Sequence, residues 1–245
     1  MPRYRLDLSY DGSGFHGFAP QAGEIRTVAK VLCEALARVF QHEVNLVVAG
    51  RTDTGVHARH QVVSFDTGRE VDPKRVARAV TSMLGPEVVA TACEVVSDEF
   101  SARFDANGRT YRYHLSDNEV ADPLRRHTVF HVGHPLDVRA MNDAAQAFVG
   151  EHDFATFCRR REGKSSIRTV HASHVERRDD GTIVFEIRAK AFCHQMVRSL
   201  TGFLIEVGRG RRPAGSVAEL LDARDRAVVP SPAPPAGLVL WQVDY

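Results

Sequence analysis

Lysine is scarce in this chain: only Lys30, Lys74, Lys164 and Lys190 stand among 32 basic residues in a length of 245. Arginine supplies the rest. Its planar guanidinium grips phosphate with paired hydrogen bonds and stacks on bases, although GC-rich coding produces the same bias. A charge excess is also missing, since 31 acidic residues leave a net charge of +1, and overall charge does not announce a nucleic-acid partner. Cysteine is limited to Cys33, Cys93, Cys158 and Cys193, scattered and without a CxxC pair. That spacing indicates neither a zinc knuckle nor a disulfide framework, and it fits a reducing, cytoplasmic setting. No apolar run approaches the roughly 20 residues of a membrane span. Met1-Pro2-Arg3-Tyr4-Arg5 leads into strand-like alternation, not a signal segment. These absences point to a soluble intracellular protein with no membrane partner, long enough for one large domain or two small ones.

The basic residues that are present gather in three places. Arg159-Arg160-Arg161 with Lys164 and Arg168 is one, Arg125-Arg126-His127 a second, and Arg209, Arg211 and Arg212 a third. A single cluster is ordinarily a solvated face. Three on one side of a fold would form a phosphate-binding surface despite the neutral balance.

Periodicity predicts the elements. Residues 3–10 alternate charged and apolar side chains, as a half-buried strand does. Residues 27–40 read as an amphipathic helix capped by Thr27. Strands follow over 44–48 and 61–65, then a helix over 73–84 with Asp72 as N-cap and Pro73 at its first position, then a strand over 88–96. The order β-α-β-β-α-β is ferredoxin-like. The remainder repeats the theme: a strand over 110–115, a helix over 137–149, a hairpin of 168–177 with 182–189, helices over 194–208 and 214–221, and a strand over 239–243. The boundary falls near Asp105-Ala106-Asn107-Gly108, giving halves 1–105 and 106–245. The proline-rich stretch 230–235 reads as a rigid connector. Two similar mixed halves imply an α+β fold with one continuous sheet and a cleft between them.

The chemistry concentrates in Ala49-Gly50-Arg51-Thr52-Asp53-Thr54-Gly55-Val56-His57-Ala58. Asp53 follows an apolar strand in a glycine-containing loop, where a carboxylate can be offered to a ligand or can merely shape the loop as an Asx turn. His57 and His60 are spaced HxxH, but metal binding needs a third ligand and helical geometry, which this stretch running into a strand supplies poorly. His152-Asp153 reads better as a turn or capping element than as a catalytic pair. Two paired carboxylates of the glycosidase kind are not evident.

The ten-residue run closely resembles the GRTD-x-GVHA signature of the TruA family of tRNA pseudouridine synthases. Other elements follow in the family's order. They are Tyr10-Asp11-Gly12-Ser13-Gly14-Phe15-His16-Gly17-Phe18, then Phe100-Ser101-Ala102-Arg103 with Tyr111-Arg112-Tyr113, and Gly150-Glu151-His152-Asp153-Phe154. Phe192-Cys193-His194-Gln195-Met196-Val197-Arg198 with Gly202, and Gly237-Leu238-Val239-Leu240 with Tyr245, complete the set. Ala19, His60 and Cys193 depart from the family's usual Gln, Gly and Leu.

The resemblance implies an isomerase that converts uridine to pseudouridine in the anticodon stem-loop of tRNA, at uridines 38, 39 and 40. It implies the α+β pseudouridine synthase fold, two ferredoxin-like halves sharing a mixed, mostly antiparallel sheet with a central basic cleft, and a homodimer whose reaction needs no cofactor and no metal. It makes Asp53 the essential carboxylate, as nucleophile or base at the sugar, and Arg198 its charge partner. Tyr111 is expected to stack on the target base, and Arg51 to fill the gap left when that nucleotide leaves its helix. Ordinary roles stand beside these: a strand tyrosine for Tyr111, a loop salt bridge for Arg51, a helix-surface residue for Arg198. Rival readings are a non-catalytic RNA-binding module, a metal-dependent hydrolase built on His57, His60 and Asp53, and a pseudouridine synthase acting on another RNA or another tRNA position, which Ala19 and His60 leave open.

Overall fold

Charged–apolar alternation at the start of the chain becomes β1 (Arg3–Tyr10), with Tyr4, Leu6, Leu8 and Tyr10 buried and their neighbours half-exposed. The computed structural model describes residues 1–159 and 163–245. After β1 come α1 (Val28–Phe40), β2 (Val47–Val48), β3 (His57–Asp66), α2 (Pro73–Leu84) and β4 (Val88–Val96). Then follow β5 (Gly108–Ser116), β6 (Phe130–His131), α3 (Val138–Gln146), β7 (Gly150–Asp153), β8 (Ile167–Arg177) and β9 (Ile183–Ala189). The chain finishes with α4 (Met196–Gly208), α5 (Val217–Ala223) and β10 (Leu238–Asp244). Strands in runs of up to three are interspersed with helices in an α+β fold.

The caps act as the sequence implied. Thr27 accepts from the Lys30 amide, and Asp72 from that of Lys74, with Pro73 opening α2. Several boundaries differ. Only residues 47 and 48 of the expected 44–48 strand pair, because Val44 is buried without joining a ladder while β3 extends back to His57. α4 begins at Met196, not at 194, because Gln195 takes a left-handed backbone (φ 63°) that a helix cannot contain. α3 ends at Gln146, and Gly150 at φ 115° admits the chain to β7, a strand that periodicity did not reveal.

The chain divides into two compact units, 1–107 with 239–245, and 108–238. In the first, the order is β4-β1-β3, antiparallel throughout. β2 takes one stretch of the other edge of β3, with Val47 opposite Ser64. β10 takes another in parallel, with Val239 opposite His57. α1 and α2 pack together, and Tyr4, Phe40 and Phe65 close the core at centroid separations of 5.3–5.6 Å. In the second unit β5-β9-β8-β7 are antiparallel neighbours, and β6 lies parallel beside β5. β5, α3, β8, β9 and α4 repeat the βαββα order, with β7 added at the edge. Its core joins Phe148, Phe157 and Phe203 edge to face.

Cys158 and Cys193 form a disulfide across 35 residues of sequence, their Cα atoms 5.7 Å apart. This corrects the expectation of four scattered, unpaired cysteines. The β8–β9 hairpin returns the chain to its starting point, and the Arg159 amide donates to the His194 carbonyl beside the pair. Spacing along the sequence carries no trace of that return. Cys33 and Cys93 remain free.

Candidate active site

In the first unit the Asp53 loop is fastened on every side. Thr52 precedes Asp53 and is buried; its hydroxyl lies 2.8 Å from the Tyr10 hydroxyl and its carbonyl accepts from the Phe18 amide. Beyond Asp53, the Val56 amide donates back to the Asp53 carbonyl and that of Gly55 to the Phe15 carbonyl. Gln61 of β3 accepts from the Gly50 amide and donates to its carbonyl and to the Tyr10 hydroxyl. Burial pushes the Tyr10 phenol up to about 12, against its bonds to Thr52 and Gln61, so it stays neutral.

The element Asp11–Phe18 lies directly on this loop, which gives its glycines a reason. A Cβ on Gly12 would fall on the Val56 carbonyl, and one on Gly17 (φ 90°) would come within 2.9 Å of the Thr52 carbonyl. Gly17 and Phe18 then accept the Val28 and Ala29 amides that open α1, so one short segment ties helix and loop together. Asp53 is half-buried. Arg51 is exposed, and among the described residues its side chain has no partner, so the loop salt bridge is not seen.

The histidines are engaged elsewhere. His57 accepts the Gly12 amide at Nδ1, with Asp11 Oδ1 3.1 Å from the same atom. His60 accepts the Val243 amide at Nδ1, which leaves Nε2 to donate to Asp7 at 3.0 Å. Among the described residues no group of three His, Cys, Asp or Glu side chains is arranged around one point.

In the second unit Tyr111 and Tyr113 share a face of β5 but not a fate. Tyr113 is fully buried and its hydroxyl donates to the Pro234 carbonyl at 2.6 Å. Tyr111 meets the ring of Phe192 edge to face at 5.1 Å. Phe192 leads into α4, whose first turn carries Arg198 after the buried Met196 and Val197. Arg198 is half-buried. Its Nε donates to the Ala233 carbonyl, its own carbonyl accepts the Ala233 amide, and its charge reaches Tyr113. Tyr111 and Arg198 therefore share one neighbourhood, and 230–235, read from sequence as a connector, is the strut behind it. His152-Asp153, expected as a turn or cap, instead ends β7, opposite Arg168 and Ile167; Asp153 accepts from the Ala155 amide and the Ser166 hydroxyl, so the two do not form a catalytic pair.

The description "tRNA pseudouridine synthase" belongs to the family whose model matches residues 8–105 and 144–245. The chain belongs to that family. Proteins called tRNA pseudouridine synthase A are similar along its length. The one from Frankia casuarinae is 45% identical, covering 100% of this chain and 90% of its own. Those from Brevibacillus brevis and Listeria monocytogenes are 39% and 38% identical, each covering 100% of both chains.

Within this tRNA pseudouridine synthase family the departures of the chain acquire a setting. His60 joins Asp7 to β10, so it is a strut of the sheet. Cys193 is half of the disulfide. Of the basic clusters, Arg125 is spent on Thr182 and Asp180, Arg209 and Arg211 lie against Glu206, and Arg212 donates to the Val228 carbonyl. Arg160 and Arg161 lie outside the described residues. Among the described residues no helix is long and apolar enough to cross a membrane. Sequence reasoning passed over Arg226 and gave no individual role to Gln195 or Ala233, although it quoted the first in the Phe192–Arg198 element and the second within 230–235. Gln195 directly precedes α4, and the fold brings Ala233 and Arg226 to its first turn from 35 and 31 residues away.

Proposed function

We propose that the protein isomerises uridine to pseudouridine in the anticodon stem-loop of tRNA, at positions 38, 39 and 40, acting as a cytoplasmic homodimer. Asp53 supplies the carboxylate, as nucleophile or base at the sugar, and Arg198 keeps it ionised. Tyr111 stacks on the uracil, holding the ring while leaving its edge free to turn. Arg51 enters the space that the flipped nucleotide vacates. The N1–C1′ bond breaks, the base turns, a C5–C1′ bond forms, C5 gives up its proton and N1 gains one. Nothing is oxidised or reduced, and no group from outside the substrate is consumed.

The observation that carries this reading is the construction of the 49–58 loop. Two buried side chains and two glycine contacts hold the backbone on both sides of a carboxylate that is not itself buried. The decisive experiment is tritium release from tRNA carrying 5-tritiated uridine, comparing wild type with Asp53→Asn. Release by wild type and none by the variant, with tRNA binding retained, is expected. A variant that loses binding together with release would make Asp53 a structural residue.

A further inference from the structure

The first turn of α4 carries a second arginine system beside Arg198. Arg226, in a single helical turn (Arg226–Val228), reaches Gln195, whose Oε1 accepts from its Nη2 at 2.9 Å. Gln195 stands three residues before Arg198, and its carbonyl accepts the Ser199 amide. Arg159 arrives from a third segment through the bond of its amide to His194. Three arginines remote in sequence thus converge on one helix end.

Their surroundings do not answer them. Nη1 of Arg226 is shielded from solvent and has no hydrogen-bond partner, and among the described residues neither Arg159 nor Arg226 has a carboxylate within ion-pair distance. A buried donor left empty costs stability, and buried polar groups are nearly always satisfied. The same unit pairs several of its other arginines with carboxylates: Arg177 with Asp117, Arg112 with Glu186, Arg211 with Glu206. Burial first, then the charges of Arg159 and Arg198, lower the pKa of the Arg226 guanidinium. A cluster of like charges with one donor aimed at nothing is relieved by an anion.

We propose that Arg226 and Arg159 bind a phosphodiester group of the substrate RNA, next to the nucleotide that Arg198 serves. This rests on the tRNA-isomerase reading above. The phosphate takes the empty Nη1–H of Arg226, and Gln195 aims the guanidinium from behind. The site reads the RNA backbone, so it positions the substrate without selecting a base.

The test is tRNA affinity between about 50 and 200 mM salt, together with tritium release, for wild type, Arg226→Gln, Arg226→Lys, Arg159→Gln and Gln195→Ala. Arg226→Gln is expected to weaken binding about tenfold and to reduce the slope of log affinity against log salt by about 0.7–0.9, one phosphate's share. The loss falls on KM more than on kcat. Arg226→Lys restores most of the slope, Arg159→Gln lowers it, and Gln195→Ala weakens binding with the slope kept. An Arg226→Gln protein with wild-type affinity and slope but a lower Tm overturns the proposal, because Arg226 would then serve only to brace Gln195. Unchanged affinity on adding inorganic phosphate at millimolar levels supports an RNA-borne phosphate; strong competition would make this a free-anion site instead. A wild type that releases no tritium from any tRNA would sink the underlying reading, whereas an active wild type with an unaffected Arg226→Gln slope sinks this inference alone.

Discussion

Arg198 and Ala233 are joined twice. The Arg198 side chain donates from Nε to the Ala233 carbonyl at 2.8 Å, and the Ala233 amide donates to the Arg198 carbonyl at 2.9 Å. The guanidinium is therefore aimed by a loop that the helix itself holds. Gly202, one turn further along α4, makes this approach possible: a Cβ there would lie 2.5 Å from the Ser231 carbonyl oxygen.

Gly202→Ala should consequently push the 231–233 segment off the helix. Overpacking against backbone costs about 1–3 kcal/mol, so a lower Tm is expected. Tritium release should fall further than the lost folded fraction explains, because Arg198 loses its brace. An unaltered Tm would mean that the segment yields freely and is no strut.

Tyr10→Phe should remove the hydroxyl that joins Thr52 to Gln61 under the Asp53 loop. A buried hydrogen bond of this kind is worth about 1–1.5 kcal/mol, measurable by urea unfolding, and the variant should turn over more slowly with tRNA affinity largely kept. Because burial raises the phenol to about 12, the wild-type pH–rate profile should show no step from Tyr10 below that pH. Full activity in the variant would show that the loop holds its shape without this tie.

Stability should fall in acid partly through Asp117. The Arg177 guanidinium, bonded to both its oxygens, holds its pKa below the ordinary value of 3.8; burial opposes this, and the Leu136 amide assists. A depressed folded-state pKa means that the unfolded chain binds the proton first. The contribution is thus present in full above about pH 4 and is lost as the pH drops below 3.8 through the folded value. Asp117→Asn should be less stable than wild type at pH 7, and its stability should change less between pH 4 and acid. Parallel pH–stability curves for the two proteins would contradict this.

Much of this was legible in the chain because it is local. Thr27 and Asp72 declare their helices by capping chemistry, and the alternation from Arg3 to Tyr10 declares a strand, since each depends only on near neighbours. The 49–58 run likewise marks its loop, because glycine positions and an apolar approach are written in consecutive residues. What escaped is what the fold brings together from afar. Cys158 meets Cys193 through a hairpin, Ala233 meets Arg198 across 35 residues, and Arg226 meets Gln195 across 31. The backbone of Gln195 escaped for another reason: a non-glycine residue in the left-handed region is held there by its surroundings, not by its own preference.

The seam between β3 and β10 sets an order of events in the life of the molecule. The strand that leaves the Asp53 loop gains its parallel neighbour from Val239 and Leu240, and His60 receives its backbone donor from Val243, 183 residues downstream. A nascent chain that has made the whole Asp53 loop still lacks the strand that finishes its sheet. The ribosome must deliver all of 108–238 first, so a product terminated within that stretch carries the 49–58 motif beside an unfilled stretch of β3. The sheet that carries the Asp53 loop is thereby closed only after the second unit has been made.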